Sequence, residues 1–223
     1  METIWQIFNQ SFPALVEGLR VTLILTLVSI VFGFILGILL ALGKVYGNRP
    51  IYWLTHSIIE IIRGTPLLVQ LFILYYGLPP YGIRLSPLTA AIIGFSINSG
   101  AYQAEYLRGS IQSISSGQMR AALSIGMSKW QAIRHVIMPQ ALRRVIPAWT
   151  NEFIYLLKYT SLAYIIGAPE MMAQAKFVAS RNYEFFNVYL ITAFVYLVIV
   201  VFFTQIFSWV ERRVKIPGFE FHR

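Results

Sequence analysis

The sequence has 223 residues, of which 57% are hydrophobic and only 12% charged, and this composition excludes an ordinary soluble enzyme. Eighteen Lys and Arg residues stand against nine Glu residues and no Asp, but the net charge of +9 does not indicate nucleic-acid binding because the basic residues separate apolar segments. Cys is absent and the three His residues are scattered, so neither a disulfide nor a metal site is expected.

Five apolar segments are long enough to cross a bilayer as helices, which takes about 20 residues each. They are residues 21–43, 51–78, 85–107, 146–166 and 188–210. The sequence therefore predicts an all-α integral membrane protein with a five-helix transmembrane domain over residues 18–210. Residues 1–17 are predicted to form an amphipathic interfacial segment interrupted at Pro13, and residues 211–223 a cytoplasmic tail.

The distribution of basic residues predicts the orientation, because Lys and Arg are retained on the cytoplasmic side during insertion. With the N-terminus outside, twelve of the eighteen Lys and Arg residues fall on the cytoplasmic side and four outside, while Arg63 and Lys158 are embedded. We therefore predict a multi-pass protein of the plasma membrane with its N-terminus outside and its C-terminus in the cytoplasm.

The second predicted span contains Glu60 and Arg63, which are three residues apart and can either form a structural ion pair or contact a substrate. Gly64-Thr65-Pro66 follows directly and breaks the helix, because Pro lacks an amide proton and clashes with the preceding turn. The break is either an ordinary kink or a discontinuous helix that lines a translocation path. We favour the second interpretation, with Thr65 and Leu67 at the site.

The third predicted span contains the small and polar residues 98–102, with the sequence NSGAY. Small residues permit close packing of membrane helices, and this role alone would explain the stretch. Asn98 and Tyr102 are four residues apart and share a helix face, so they are also candidates for a substrate pocket.

The long connection over residues 110–147 carries only basic charge and is predicted to form a helical hairpin. Ser115 is expected to cap a first helix that Gly126 ends, and Ser128 to cap a second helix that Pro139 terminates. The hairpin either rests on anionic lipid or docks into a groove on a cytoplasmic protein. Its apolar residues recur at three- and four-residue steps and are predicted to form one stripe: Met119, Ala122, Leu123, Gly126, Trp130, Ile133 and Ile137.

The fourth predicted span places Glu152, Tyr155 and Tyr159 on one helix face, whereas Lys158 points elsewhere and is interpreted as a structural or gating charge. Glu152 needs a cation, which is either a Lys or Arg of another span or the cation of a substrate flanked by the tyrosine rings. The second possibility predicts a basic amino acid, namely arginine, lysine or histidine. A neutral polar amino acid such as glutamine is the alternative.

Several motifs resemble those of the membrane subunits of ABC importers. Residues 117–128 (GQMRAALSIGMS) and 136–141 (VIMPQA) are similar to the coupling loop of these subunits. Residues 63–70 (RGTPLLVQ), 101–109 (AYQAEYLRG) and 156–162 (LLKYTSL) resemble further motifs of the polar amino-acid uptake family, the histidine, glutamine and arginine type. The family pattern usually has Glu where Arg120 stands, while Val136 and Met138 replace other apolar residues.

The resemblance implies the permease fold of type I ABC importers and a place in the bacterial plasma membrane. It implies two permease subunits, expected to be a homodimer, together with two cytoplasmic ATPases and an extracytoplasmic solute-binding protein. The residues implied to contact the ATPase are Arg120, Ala121, Ala122, Leu123, Gly126, Met127, Ser128 and Trp130. The sequence lacks a phosphate-binding loop, so ATP and Mg are expected on the partner ATPase, with no cofactor and no enzymatic activity on this chain.

Three other functional classes are alternatives to this one. An ion-driven secondary transporter would suit the embedded charges, but five spans without an inverted repeat argue against it. An assembly subunit that transports nothing is a further alternative. A membrane-embedded hydrolase is weaker still, because no His lies at a useful spacing from a Ser or a carboxylate within the spans.

Overall fold

The computed structural model describes residues 4–214, and this part of the chain contains helices and no β-strand. The all-α fold predicted from the sequence is therefore confirmed. Residues 1–3 of the predicted interfacial segment and residues 215–223 of the predicted tail lie outside the described residues. In chain order the helices are α1 (Ile4–Tyr46), α2 (Arg49–Gly64), α3 (Leu67–Phe72), α4 (Pro87–Gln112), α5 (Ser116–Ser124), α6 (Lys129–Ala132), α7 (Met138–Tyr159), α8 (Met171–Asn182) and α9 (Phe185–Val214).

Helix α1 runs without interruption through Pro13, so the predicted break at this residue is wrong. Ile7 and Leu15, on either side of the proline, are buried in one apolar cluster with residues of α8 and α9 such as Met171 and Val188. This packing stabilises the helix on both sides of Pro13. The separate interfacial segment stays a prediction, and its described part is continuous with the first span.

Within residues 4–214, two helical stretches are long and apolar enough to cross a bilayer, Ser11–Tyr46 with a mean hydropathy of 2.9 and Phe185–Val214 with 2.5. The second predicted span is not a straight helix, because Arg49–Gly64 and Leu67–Tyr81 meet at 103°. The bend falls at Thr65 and Pro66, as the sequence predicts. The fourth predicted span begins within α7 and ends in 3-10 turns over Thr160–Ile166.

Helices α1 and α4 cross closely at glycines, which lack the Cβ that would hold them apart. A Cβ added to Gly100 would lie 3.1 Å from the carbonyl oxygen of Gly33 and 2.9 Å from a methyl carbon of Leu36. The polar stretch at residues 98–102 therefore does serve helix packing, through Gly100. The central core beside this crossing includes Phe95 of α4 and Phe153 of α7.

Helices α5 and α6 form the predicted hairpin, which we call the hairpin below. The Ser115 hydroxyl accepts a hydrogen bond from the amide of Gly117, and Gly126 has a φ of +87° after α5. Ser128 and Gln131 form a reciprocal cap on α6. These capping predictions are confirmed.

Pro139 does not terminate the second helix of the hairpin, and this prediction is wrong. A π-helical turn over Ile133–Ile137 joins α6 to α7, and Pro139 lies in the first turn of α7. An amide at that position would need no partner within the helix, so the proline is tolerated there.

The apolar stripe predicted along the hairpin is also wrong as a single surface. Its residues divide into a buried group and an exposed group. Ala122 and Ile133 are buried, and Ile137 is buried with Ile111 and Ile114 of this chain. Of the predicted stripe, Leu123 (46%), Gly126 and Trp130 (65%) are exposed, and so is the neighbouring Ile125 (76%).

Candidate functional site

A cavity of about 710 Å³ lies where the break between α2 and α3 faces α4 and α7. This volume falls within the range of about 300–1,000 Å³ that is usual for small-molecule sites. The lining residues that the sequence predicts as substrate contacts are Arg63, Thr65, Leu67, Asn98, Tyr102, Glu152, Tyr155 and Tyr159. The lining residues that it does not predict are Gly64, Pro66, Leu68, Tyr106 and Leu162.

The break between α2 and α3 is held in place by side-chain hydrogen bonds. The Gln70 amide nitrogen donates to the Ile62 carbonyl oxygen at 2.7 Å and to the Thr65 hydroxyl at 2.9 Å, which satisfies groups that the break leaves without helical partners. The Asn98 amide nitrogen of α4 donates to the Gln70 side-chain oxygen at 3.1 Å. The break therefore forms an ordered wall of the cavity, fixed to α4, and is more than a kink.

Glu152 is the acidic residue of the cavity, and its side chain is only 7% exposed. The Ser99 hydroxyl donates to one carboxylate oxygen at 2.7 Å, and the Tyr106 hydroxyl approaches the other at 3.5 Å. The ion pairs found within residues 4–214 involve Glu60 and Glu105 and do not include Glu152. The sequence allows two sources of a cation for Glu152. The first, a Lys or Arg of another span, does not pair with Glu152 within the described residues.

Glu60 and Arg63 do not pair with each other, although their spacing on α2 would permit it. The Glu60 carboxylate is 3.5 Å from the Lys44 ammonium and 3.6 Å from the His56 imidazole, and Glu60 does not line the cavity. The Arg63 guanidinium lies over the Tyr102 ring, 5.2 Å from its centroid. The cavity wall therefore carries a positive group at Arg63 and a negative group at Glu152.

Tyr155 and Tyr159 lie beside each other on α7, with ring centroids 6.4 Å apart, and each is about half exposed. The Lys158 ammonium lies 4.8 Å from the centroid of the Tyr155 ring and is not among the lining groups of the cavity. Tyr155 therefore already has a cation near one face, which leaves Tyr159 as the ring more available to a ligand.

Sequence reasoning missed the residues around Glu152 that belong to another helix. Tyr106 follows Tyr102 by four residues on α4, a spacing that would have placed both on one face. Ser99 lies inside the polar stretch at residues 98–102, but nothing in the sequence indicates which oxygen it contacts. Gln70 and Gln103 lie within two of the motifs that resemble the family pattern, but the sequence does not indicate which groups they contact.

The residues predicted to contact an ATPase are mostly on the surface of the hairpin. Ala122 is buried within the chain, Met127 is partly buried, and the others are exposed: Arg120, Ala121, Leu123, Gly126, Ser128 and Trp130. A bulky exposed Trp beside exposed leucine and isoleucine is a surface suited to a protein partner. Contact of these residues with an ATPase stays a prediction.

Comparison with known proteins agrees with the fold. Residues 33–216 match the family described as binding-protein-dependent transport system inner membrane component. A probable amino-acid permease protein of Bacillus subtilis, YxeN, is 42% identical, with 97% of this chain and 99% of the relative covered. The glutamine transport system permease protein GlnP of Escherichia coli K12 is 36% identical, with 97% of this chain and 100% of the relative covered.

A crystal structure of an amino acid ABC transporter with histidines superposes with a TM-score of 0.88 at 39% identity, and the match covers 96% of this chain and 100% of that one. The family match spans most of the sequence, and the relatives match over nearly their whole length. The chain therefore belongs to the family of binding-protein-dependent transport system inner membrane components, as an amino-acid permease subunit of an ABC importer with the type I fold.

Proposed function

We propose that this permease carries basic amino acids, arginine, lysine or histidine, and that Glu152 binds the cationic end of the substrate. The observation that carries the proposal is a buried carboxylate that borders a cavity and has hydroxyl partners but no basic side chain within the described residues. A carboxylate at membrane depth normally requires a counter-charge, and a basic substrate supplies one. Tyr159 adds an aromatic face beside it.

Arg63 is proposed to bind the α-carboxylate of the substrate. Its guanidinium lines the same cavity and is oriented by the Tyr102 ring. Guanidinium groups bind carboxylates through two parallel hydrogen bonds, which fixes orientation as well as affinity. A zwitterionic amino acid with a basic side chain would then place its two ends against opposite charges, and Asn98, Thr65 and Leu67 would line the space between them.

Transport is proposed to be driven by ATP on a separate subunit. Two ATPases, with ATP and Mg, would bind the hairpins of two permease copies, and their closure would move the attached helices between outward-open and inward-open states. A solute-binding protein would deliver the substrate from outside. This arrangement requires the hairpin and the C-terminus to be cytoplasmic and the N-terminus to be outside, as the basic residues predict.

The substitution Glu152→Gln tests the substrate assignment. Proteoliposomes that contain this permease, its ATPase and its binding protein should take up labelled arginine with ATP inside. The variant should lower arginine uptake roughly tenfold or more, because a charge-assisted hydrogen bond is worth about 1.5–3 kcal/mol. Equal uptake of arginine by the variant and the native protein would remove the role of Glu152.

Glutamine is the second candidate, because the Escherichia coli relative GlnP is a glutamine transport system permease protein. A panel of labelled arginine, lysine, histidine and glutamine separates the two candidates. Uptake of glutamine alone, unchanged in Glu152→Gln, would favour the second. Uptake that stops when the ion gradient collapses, even with ATP inside, would indicate a secondary transporter instead.

A further inference from the structure

Two polar residues behind the cavity wall, Ser99 and Gln103, are almost completely buried in the helix packing. Each is 1% exposed, and neither lines the cavity. Burial of a polar side chain costs free energy unless hydrogen bonds replace those made with water. Their hydrogen bonds lead toward Glu152, which does line the cavity.

Each hydrogen bond is donated toward Glu152, first by Gln103 and then by Ser99. The Gln103 amide nitrogen donates to the Ser99 hydroxyl oxygen at 2.9 Å, and the Ser99 hydroxyl donates to the Glu152 Oε1 oxygen at 2.7 Å. A hydroxyl has a single proton, so Ser99 directs it to Glu152 while its oxygen accepts from Gln103. The same Gln103 nitrogen is 3.4 Å from the Ile30 carbonyl oxygen of α1, which is consistent with the amide nitrogen facing this side.

Helix α1 packs closely against the Gln103 side chain. A Cβ added to Gly33 would lie 3.0 Å from the Gln103 amide nitrogen, and one added to Gly37 would lie 2.9 Å from the Gln103 Cβ. The absence of side chains at these two positions is what allows Gln103 to lie between α1 and Ser99. Gln103, which donates to Ser99, is thus held in place where α1 crosses α4.

The two oxygens of the Glu152 carboxylate consequently differ. Oε1 accepts the short hydrogen bond from Ser99, whereas Oε2 has only the distant Tyr106 hydroxyl at 3.5 Å. Tyr106, the neighbour of Oε2, lines the cavity, whereas Ser99, the neighbour of Oε1, does not.

We propose that Ser99 and Gln103 are positioning residues that hold Glu152 Oε1, so that Oε2 is presented to the cationic end of a substrate. This inference rests on the proposed function of Glu152. It predicts that selectivity for a charged ligand depends on two residues that never touch the ligand. Arginine and citrulline are suitable probes, because citrulline replaces the guanidinium by a neutral group of nearly the same shape.

Ser96 provides a matched control on the same helix. It is 8% exposed, and its hydroxyl has no hydrogen-bond partner among the described residues. Ser96→Ala therefore removes a buried hydroxyl from α4 without removing a donor to Glu152. Gln103→Met provides a second test of the hydrogen bonds that lead to Glu152, since it keeps the length of the side chain but removes the amide donor.

The experiment measures binding of arginine and citrulline by calorimetry to the complete permease–ATPase complex in lipid nanodiscs, without the binding protein. Ser99→Ala should weaken arginine binding about tenfold, which corresponds to the loss of roughly one hydrogen bond to a charged group. Gln103→Met should weaken arginine binding about threefold, because the Ser99 hydroxyl that donates to Glu152 is then held less firmly. Citrulline binding should stay the same in both variants, and Ser96→Ala should leave both ligands unaffected.

The outcomes separate this inference from the proposed function. If Glu152→Gln weakens arginine binding but Ser99→Ala and Gln103→Met do not, Glu152 binds substrate and the positioning role is overturned. Equal weakening of arginine and citrulline in Ser99→Ala would mean a general packing defect and would also overturn it. If Glu152→Gln binds arginine as the native complex does, the proposed function fails and the inference fails with it. Should Ser99→Ala not assemble, Gln103→Met decides by the same comparison.

Discussion

Glu105 and Glu152 are two shielded carboxylates in different parts of the helix bundle, and their partners differ in kind. The Glu105 carboxylate is 2.7 Å from the Lys44 ammonium of α1 and 2.9 Å from the Arg108 guanidinium one turn further along α4. Glu152 has only the hydroxyls of Ser99 and Tyr106. The first carboxylate is paired with two basic side chains, while the second has hydroxyl partners and no basic partner among the described residues.

This difference indicates which charge serves the fold and which is available to a ligand. A carboxylate surrounded by two cations gains little from a third, so Glu105 ties α1 to α4 and has no free charge to offer. A carboxylate that borders a cavity and lacks a cation can gain one from a substrate. The comparison predicts opposite consequences for the two residues when each is changed to Gln.

The largest expected effect is on stability, from Glu105→Gln. The variant leaves Lys44 with only its longer contact to Glu60 and removes the carboxylate partner of Arg108, and breaking a shielded ion pair in this way costs up to about 3 kcal/mol. The variant should therefore lower the melting temperature of the complex in nanodiscs, with arginine affinity unchanged below the transition. Glu17→Gln, which alters an exposed carboxylate of α1, is the matched control and should melt like the native protein. A Glu105 variant of native stability would contradict the structural role.

The hairpin extends the comparison from charges to apolar residues. Ile133 is buried within the chain, whereas Trp130, three residues earlier, is 65% exposed. Ile133→Ala should destabilise the protein by about 2 kcal/mol or more, because it leaves a cavity. Trp130→Ala should keep the native melting temperature but weaken ATPase binding about tenfold or more, as expected for a central aromatic contact.

Co-purification with the ATPase and ATP-driven uptake measure the effect at Trp130. A Trp130 variant that couples normally would remove the hairpin from the proposed ATPase contact. A variant that lost stability would instead show that Trp130 belongs to the packing of this chain.

The smallest expected effect concerns Arg63, the other charge of the cavity. Arg63→Gln should weaken arginine binding about tenfold through the loss of the contact with the α-carboxylate. Agmatine, which is arginine without that carboxylate, should bind the variant and the native complex equally well. Calorimetry on the nanodisc complex measures both ligands. A parallel loss of agmatine binding would mean that Arg63 shapes the cavity and does not bind the carboxylate.

Local features of the fold are predictable from the sequence because their causes lie within a few residues. The break at Gly64-Thr65-Pro66 follows from the missing amide of proline, and the caps at Ser115 and Ser128 follow from side-chain oxygens placed before free helix amides. The shared face of Glu152 and Tyr159 follows from helical periodicity. The all-helical class follows from composition.

Two of the failed predictions depend on packing between distant segments, and a third depends on an irregular helical turn. Pro13 was expected to interrupt a helix that tertiary packing around Ile7 and Leu15 keeps continuous. Pro139 was expected to end a helix, but a π-helical turn places it where a new helix begins. The spacing of Glu60 and Arg63 would permit a pair, but Glu60 instead contacts Lys44 of another helix.

The sequence by itself determined a bundle of membrane helices, a broken second span and a carboxylate that needs a cation, because composition, proline chemistry and helical periodicity act locally. Only the tertiary structure decided that Arg63 and Glu152 share a cavity, that Lys44 neutralises Glu105, and that Ser99 reaches Glu152 across 53 positions in the chain. These contacts depend on how closely the helices cross. That closeness is set by glycines and side-chain packing on both helices together, which no single segment specifies.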